Sequence, residues 1–96
     1  MFARVNTFEG DVDAAARAVR EIVWPAIREV GGFRGYLVLV SREEGRAIGI
    51  TLWEDDKAEA ASRPEAERLR PRLQEATRGH VVKVEPYEVA LIELPS

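Results

Sequence analysis

Arg4 and Asn6 stand two residues apart near the start of the chain, in the segment Phe2–Glu9. Side chains alternate sides along a strand, so Phe2, Arg4, Asn6 and Phe8 share one face and Ala3, Val5 and Thr7 the other. An amide and a guanidinium side by side among apolar neighbours can hold an oxyanion in a site that excludes water. Asn6 is the single Asn of the chain. A buried amide must find partners, and a substrate carbonyl or phenol is one such partner; an edge position or an internal hydrogen bond is another. Arg4 can neutralise a phenolate or carboxylate, or pair with a carboxylate of the protein itself. Asn6 and Arg4 are the catalytic candidates.

Three further residues have the right chemistry for binding an aromatic substrate. Trp53 can stack on a flat ring or fill core. Trp24, beside Pro25, can close a cavity as a lid or pack inward. His80 follows Gly79 and has the intrinsic pKa of a general base. No orienting carboxylate is identifiable for it, and a lone His at a loop–strand junction also serves as a solvated residue. The arginines at 63, 68, 70, 72 and 78 are interleaved with Glu59, Glu65, Glu67 and Glu75, the pattern of a solvated, ion-paired helix face.

The elements that must position these residues follow from periodicity. The strand 2–9 ends at Gly10, and Asp11 caps a helix over 12–30 that Pro25 should kink or break near Trp24. Residues 33–41 and 46–54 form a hairpin through the three-residue loop Glu43-Glu44-Gly45. That loop pairs Val40 with Ile48, Val38 with Ile50, Tyr36 with Leu52 and Arg34 with Glu54. Two capping boxes, Asp56 to Glu59 and Ser62 to Glu65, divide 55–78 into a short helix ending near Ala61 and a second beginning near Pro64, ended by Gly79. A last strand over 80–94 bends at Pro86. The order is β-α-β-β-α-β, in one domain spanning residues 1–96.

Composition removes several function classes. There is no cysteine and one histidine, so disulfides, thiolate metal sites and His-rich metal sites are excluded; no metal site is expected. A formal net charge of −3 argues against nucleic-acid binding. Arg34-Gly35-Tyr36 brushes against an RNA-recognition motif, but on the wrong strand. No apolar run is long enough to span a bilayer and no leader pattern is visible, so a cytoplasmic protein without a membrane partner is expected.

The hairpin register has a consequence for assembly. One face would carry Tyr36, Val38, Val40, Ile48, Ile50 and Leu52, and the other Leu37, Leu39 and Trp53. Two helices cover one face only. Six side chains worth ~1.5–3 kcal/mol each on full burial are too much to leave in water, so an isologous homodimer is expected. Gly35, Ala47 and Gly49 leave room beside Trp53, which places Trp53 under the helices and the Val/Ile face, Tyr36 included, in the dimer core.

The opening Phe-Ala-Arg-Val-Asn-Thr-Phe-Glu-Gly, the junction Val30-Gly31-Gly32-Phe33-Arg34-Gly35 and Ile50-Thr51-Leu52-Trp53-Glu54 resemble the antibiotic-biosynthesis-monooxygenase-like superfamily over nearly the whole chain. The resemblance implies a ferredoxin-like protomer, a dimeric α+β barrel and a cavity between sheet and helices. It also implies cofactor-independent oxygenation of a phenolic or quinone-like molecule, with no cofactor. The alternative is a non-catalytic dimer that binds or senses a small molecule. In the haem-degrading branch a strand Asn is joined by a Trp and a His on the second helix; Asn6 matches the first, and residues 56–78 lack the other two.

Overall fold

The computed structural model describes residues 1–95; Ser96, the last residue of the expected domain, lies outside the described residues. Four strands form one antiparallel sheet: β1 (Phe2–Glu9), β2 (Phe33–Ser41), β3 (Arg46–Trp53) and β4 (His80–Glu88). Their spatial order is β2-β3-β1-β4, so the strand bearing Arg4 and Asn6 is central. The helical segments α1 (Val12–Ala18), α2 (Trp24–Ile27) and α3 (Asp56–Thr77) pack on one face of that sheet. This is the expected ferredoxin-like α+β architecture. Among the described residues no helix is long and apolar enough to cross a membrane.

Local chemistry explains the first helical layer. The Asp11 carboxylate accepts the amides of Asp13 at 3.1 Å and Ala14 at 3.0 Å, capping α1 as expected. Pro25 cannot donate to the Glu21 carbonyl, and its ring crowds that oxygen. The chain answers by widening into a π-helical stretch, Val19–Val23, in which the Trp24 amide bonds Val19 five residues back. The expected kink is thus a change of helix type.

The second helix departs from expectation more plainly. α3 runs unbroken through Pro64 and Pro71. Ala60 and Glu67, whose carbonyls lose their donors to these prolines, are exposed and open to water. Neither capping box forms. Asp55 is the N-cap, accepting the Ala58 amide at 2.8 Å, and both Glu59 and Ser62 turn inward instead. At the far end Arg78, not Gly79, takes the left-handed conformation, at φ 56°. Gly79 serves closeness: a Cβ there would collide with the Phe8 ring and the Glu9 carbonyl.

The hairpin register is corrected by one residue. Val40 pairs with Ala47, Leu39 with Ile48, Val38 with Gly49, Leu37 with Ile50 and Tyr36 with Thr51. The three-residue loop would have set Arg42 against Arg46, like charge against like. The observed loop has four residues, closed by Ser41 opposite Arg46, with Gly45 at φ +61°. Arg42 turns away to Asp13 at 2.7 Å, and Arg46 to Glu44 at 2.9 Å. A bulge between Phe33 and Gly35 absorbs the difference, and Arg34 still reaches Glu54 at 2.9 Å.

The shift sorts the faces anew. Tyr36 and Val38 lie with Arg4, Asn6, Gly49 and Thr51 under the helices, not on the expected dimer face. Leu37, Leu39, Ile48, Ile50 and Leu52 occupy the opposite face. There Leu37 is 40% and Leu39 50% exposed. Trp53 is under the helices, as expected, and fully buried.

Candidate functional site

Between the sheet and the helices lies a cavity of about 120 Å³. Its floor is built by small or short residues, Ala47, Gly49 and Thr51 of β3, which keep the sheet low there. Val19, Val23 and Ile27 wall it from the first helical layer, Leu69 and Leu73 from α3. The π-helical stretch therefore supplies two of the walls. Polar groups enter from few places: Arg4 and Asn6 of β1, Tyr36 of β2, and Arg70 and Gln74 of α3. An apolar chamber with a few convergent polar groups is the usual form of a small-molecule site.

The two catalytic candidates reach this chamber together but in different states. Arg4 is 6% exposed and engaged: its Nη1 donates to Glu59 Oε2 at 3.1 Å and to Ser62 Oγ at 2.6 Å. Its guanidinium lies 5.4 Å above the centre of the Trp53 ring, a cation–π geometry. Burial lowers the Arg4 pKa from its ordinary value, and the bond and charge of Glu59 oppose that shift. Glu59, 1% exposed, also accepts two bonds from Arg63, at 2.6 and 3.0 Å. The Arg63 bonds, followed by those from Arg4, hold its carboxyl below the usual carboxylate range against the opposing effect of burial. Asn6, by contrast, makes no side-chain hydrogen bond to any described residue, and its half-buried amide faces the cavity.

Trp53, Trp24 and His80 are not brought to the cavity. Trp53 is sealed beneath Arg4, its indole N–H donating to Thr51 Oγ1 at 2.9 Å and its ring 5.3 Å from Phe33. Trp24 sits outside, 37% exposed, its ring 5.6 Å from Tyr36 and 6.0 Å from Phe33. It backs a lining residue rather than lining the chamber. His80 is exposed, at the first position of β4 opposite Glu9. Three residues that matter were not singled out as site residues from the sequence. The three-residue-loop register places Tyr36 on the wrong face, and the charge clash it makes between Arg42 and Arg46 is the sequence signal against it. Glu59 and Ser62 were read as capping residues; no local signal marks them as partners of a strand 55 or more residues away.

No protein-family model matches the chain. Two uncharacterised proteins of Mycobacterium tuberculosis strain H37Rv, Rv2557 and Rv2558, are 33% and 34% identical to it over 94% and 96% of its length. The chain spans only 41% and 40% of those two proteins. Among solved structures, a monooxygenase from the gene ActVA-Orf6 of Streptomyces coelicolor, in complex with nanaomycin D, superposes with a TM-score of 0.76. It is 24% identical, and the match covers 99% of this chain and 92% of that one. SnoaB, a cofactor-independent oxygenase from Streptomyces nogalater, gives 0.70 at 18% identity, covering 99% and 97%. HapK from Hahella chejuensis gives 0.70 at 12%, covering 100% and 99%. At these identities the likeness is one of backbone, and it agrees with the strand order and the helix placement: the chain has the α+β fold of these proteins and of a solved antibiotic-biosynthesis-monooxygenase-like protein from Deinococcus radiodurans.

Proposed function

We propose that this chain is a cofactor-independent monooxygenase of a phenolic or quinone-like small molecule, acting as a homodimer. The observation that carries the reading is the Asn6 amide, which faces an apolar chamber and makes no side-chain hydrogen bond to any described residue. Two solved structures of the same fold, described as a monooxygenase and a cofactor-independent oxygenase, support it.

In such a reaction the substrate itself supplies the electrons. Loss of a proton to solvent water from a phenol or an acidic ring carbon gives an anion whose charge spreads over oxygen and carbon. The Asn6 N–H stabilises the oxygen end, and the chamber excludes water. The positive end of the Arg4–Glu59 pair adds to the field. The carbon end reduces O2 and forms a C–O bond to it. Loss of water then leaves a carbonyl: a hydroquinone and one O2 yield a hydroxyquinone and one water. By comparison with a ~150 Å³ apolar cavity that takes benzene, about 120 Å³ holds roughly one ring, so larger ring systems must extend past the lining.

Oxygen uptake with single-ring hydroquinones and an anthrone-type substrate tests this. Wild-type protein should consume one O2 per substrate, and Asn6→Ala should lower the rate by about 10²-fold, the usual loss for one oxyanion donor. Binding without uptake across the panel would instead favour a non-catalytic ligand-binding dimer.

The dimer reading rests on the face opposite the helices, where Leu37 and Leu39 stand exposed beside Ile48, Ile50 and Leu52. A second copy packed sheet to sheet would cover it. Light scattering at micromolar concentration should give twice the protomer mass, and Leu39→Asp should halve it. A wild-type monomer would overturn the dimer.

A further inference from the structure

A second cavity, of about 310 Å³, lies on the other side of Arg4, between α3 and β4. Val84 and Pro86 form its apolar edge. Its charged lining is three guanidiniums, Arg4, Arg63 and Arg70, against two carboxylates, Glu59 and Glu67. Arg4 and Arg70 line both cavities, so they stand at the boundary between them.

The charges there do not cancel. Both Glu59 oxygens are taken up by Arg63 and Arg4. Arg70 is half-buried and makes no ion pair with any described residue. Glu67 is exposed at the rim and is likewise outside every ion pair of the described residues. Arg63 and Arg70 both act through their charge to disfavour the Arg4 cation. A half-buried guanidinium with its hydrogen-bonding fork unused, beside two others already paired with Glu59, gains most from a planar, singly charged anion. The excess of one positive charge, with Glu67 nearby, suits a carboxylate better than a doubly charged phosphate.

We propose that this second cavity binds the carboxylate arm of an aromatic acid whose ring occupies the first cavity, with Arg70 as the receiving fork. The proposal rests on the first cavity being the ring site, and it narrows the substrate class to phenols or quinols bearing an acidic side chain. Arg70 then sets specificity, and Arg63 holds Glu59 so that Arg4 stays committed to the protein.

The test is anaerobic calorimetry with 2,5-dihydroxyphenylacetate and its methyl ester. The wild-type protein should bind the acid at least about tenfold more tightly than the ester, and the preference should shrink as salt is raised. Arg70→Gln should erase the difference. Arg72→Gln, the same charge change at an exposed position of α3, should leave it intact. Equal binding of acid and ester by the wild type, binding of neither, or equal loss of the preference in the two variants would overturn the proposal. The two readings fail separately. Acid preference without oxygen uptake removes the monooxygenase and keeps the carboxylate site. Oxygen uptake without acid preference does the reverse.

Discussion

Arg4 and Asn6 are neighbours on the same face of the same strand, yet they sit in opposite chemical conditions. Around Arg4 the molecule supplies partners: Glu59 and Ser62 engage its Nη1, the Trp53 ring lies against its guanidinium, and Thr51 satisfies the indole below. Around Asn6 it is open: Gly49 is its cross-strand partner on β3, and the space above is cavity. Two residues of strand separate a polar group that holds the protein together from one left free for something else. A fully buried polar group such as Arg4 must have its partners in place, whereas the half-buried Asn6 amide, bonded to no described residue, is the better candidate for ligand contact.

The contrast is sharpened most by removing Glu59. Glu59→Ala leaves the Arg4 cation buried beside Trp53 without its carboxylate, and breaking a buried pair in this way costs about 3–5 kcal/mol. Asn6→Ala, whose amide bonds no described residue, should change stability by less than about 1 kcal/mol while lowering the oxygen-uptake rate by about 10²-fold. Urea denaturation of the two variants measures both. Similar losses in the two would erase the distinction between a structural and a functional polar group.

A smaller effect should appear on acidification. The Glu59 carboxyl is held below its ordinary value, chiefly by the Arg63 bonds and then by Arg4, so its contribution to stability is complete above the unfolded-state value of about 4.3. That contribution is lost as pH falls through the lowered folded-state value. Wild-type stability should therefore drop more steeply below about pH 4.3 than that of Glu59→Gln, which has no proton to take up at that position. Parallel curves from pH 7 to 3 would show that the pair gives the fold no pH-dependent stabilisation.

Much of this arrangement could be read from residue order. The alternation of β1 put Arg4 and Asn6 on one face, and the small residues of β3 put Trp53 and a space beside it under the helices. These are local patterns, and the structure keeps them. What was not legible depends on distant partners. Ser62 has the sequence of a helix cap, but Arg4, 58 residues earlier, claims its hydroxyl, and α3 continues through Pro64. Arg42 can flank a three-residue loop or open a four-residue one; the ion pair to Asp13, 29 residues away, accompanies the second, whose register moves Tyr36 into the site. Trp24 and His80 were candidates by residue type alone, and neither type nor neighbours indicate which way a side chain points from a π-helical turn or a strand end.

The composition also supplies a direct probe of the open region. Asn6 and Gln74 are the only Asn and Gln of the chain, and both line the cavity. An amide-detected nitrogen–proton NMR spectrum thus carries two side-chain NH2 pairs, one from the half-buried Asn6 and one from Gln74 at the exposed rim of the cavity. Titration with a single-ring hydroquinone under nitrogen should shift both pairs, the Asn6 pair most, along one saturating curve. If both pairs stay fixed while the ligand binds elsewhere, then the cavity beside Asn6 is not the site.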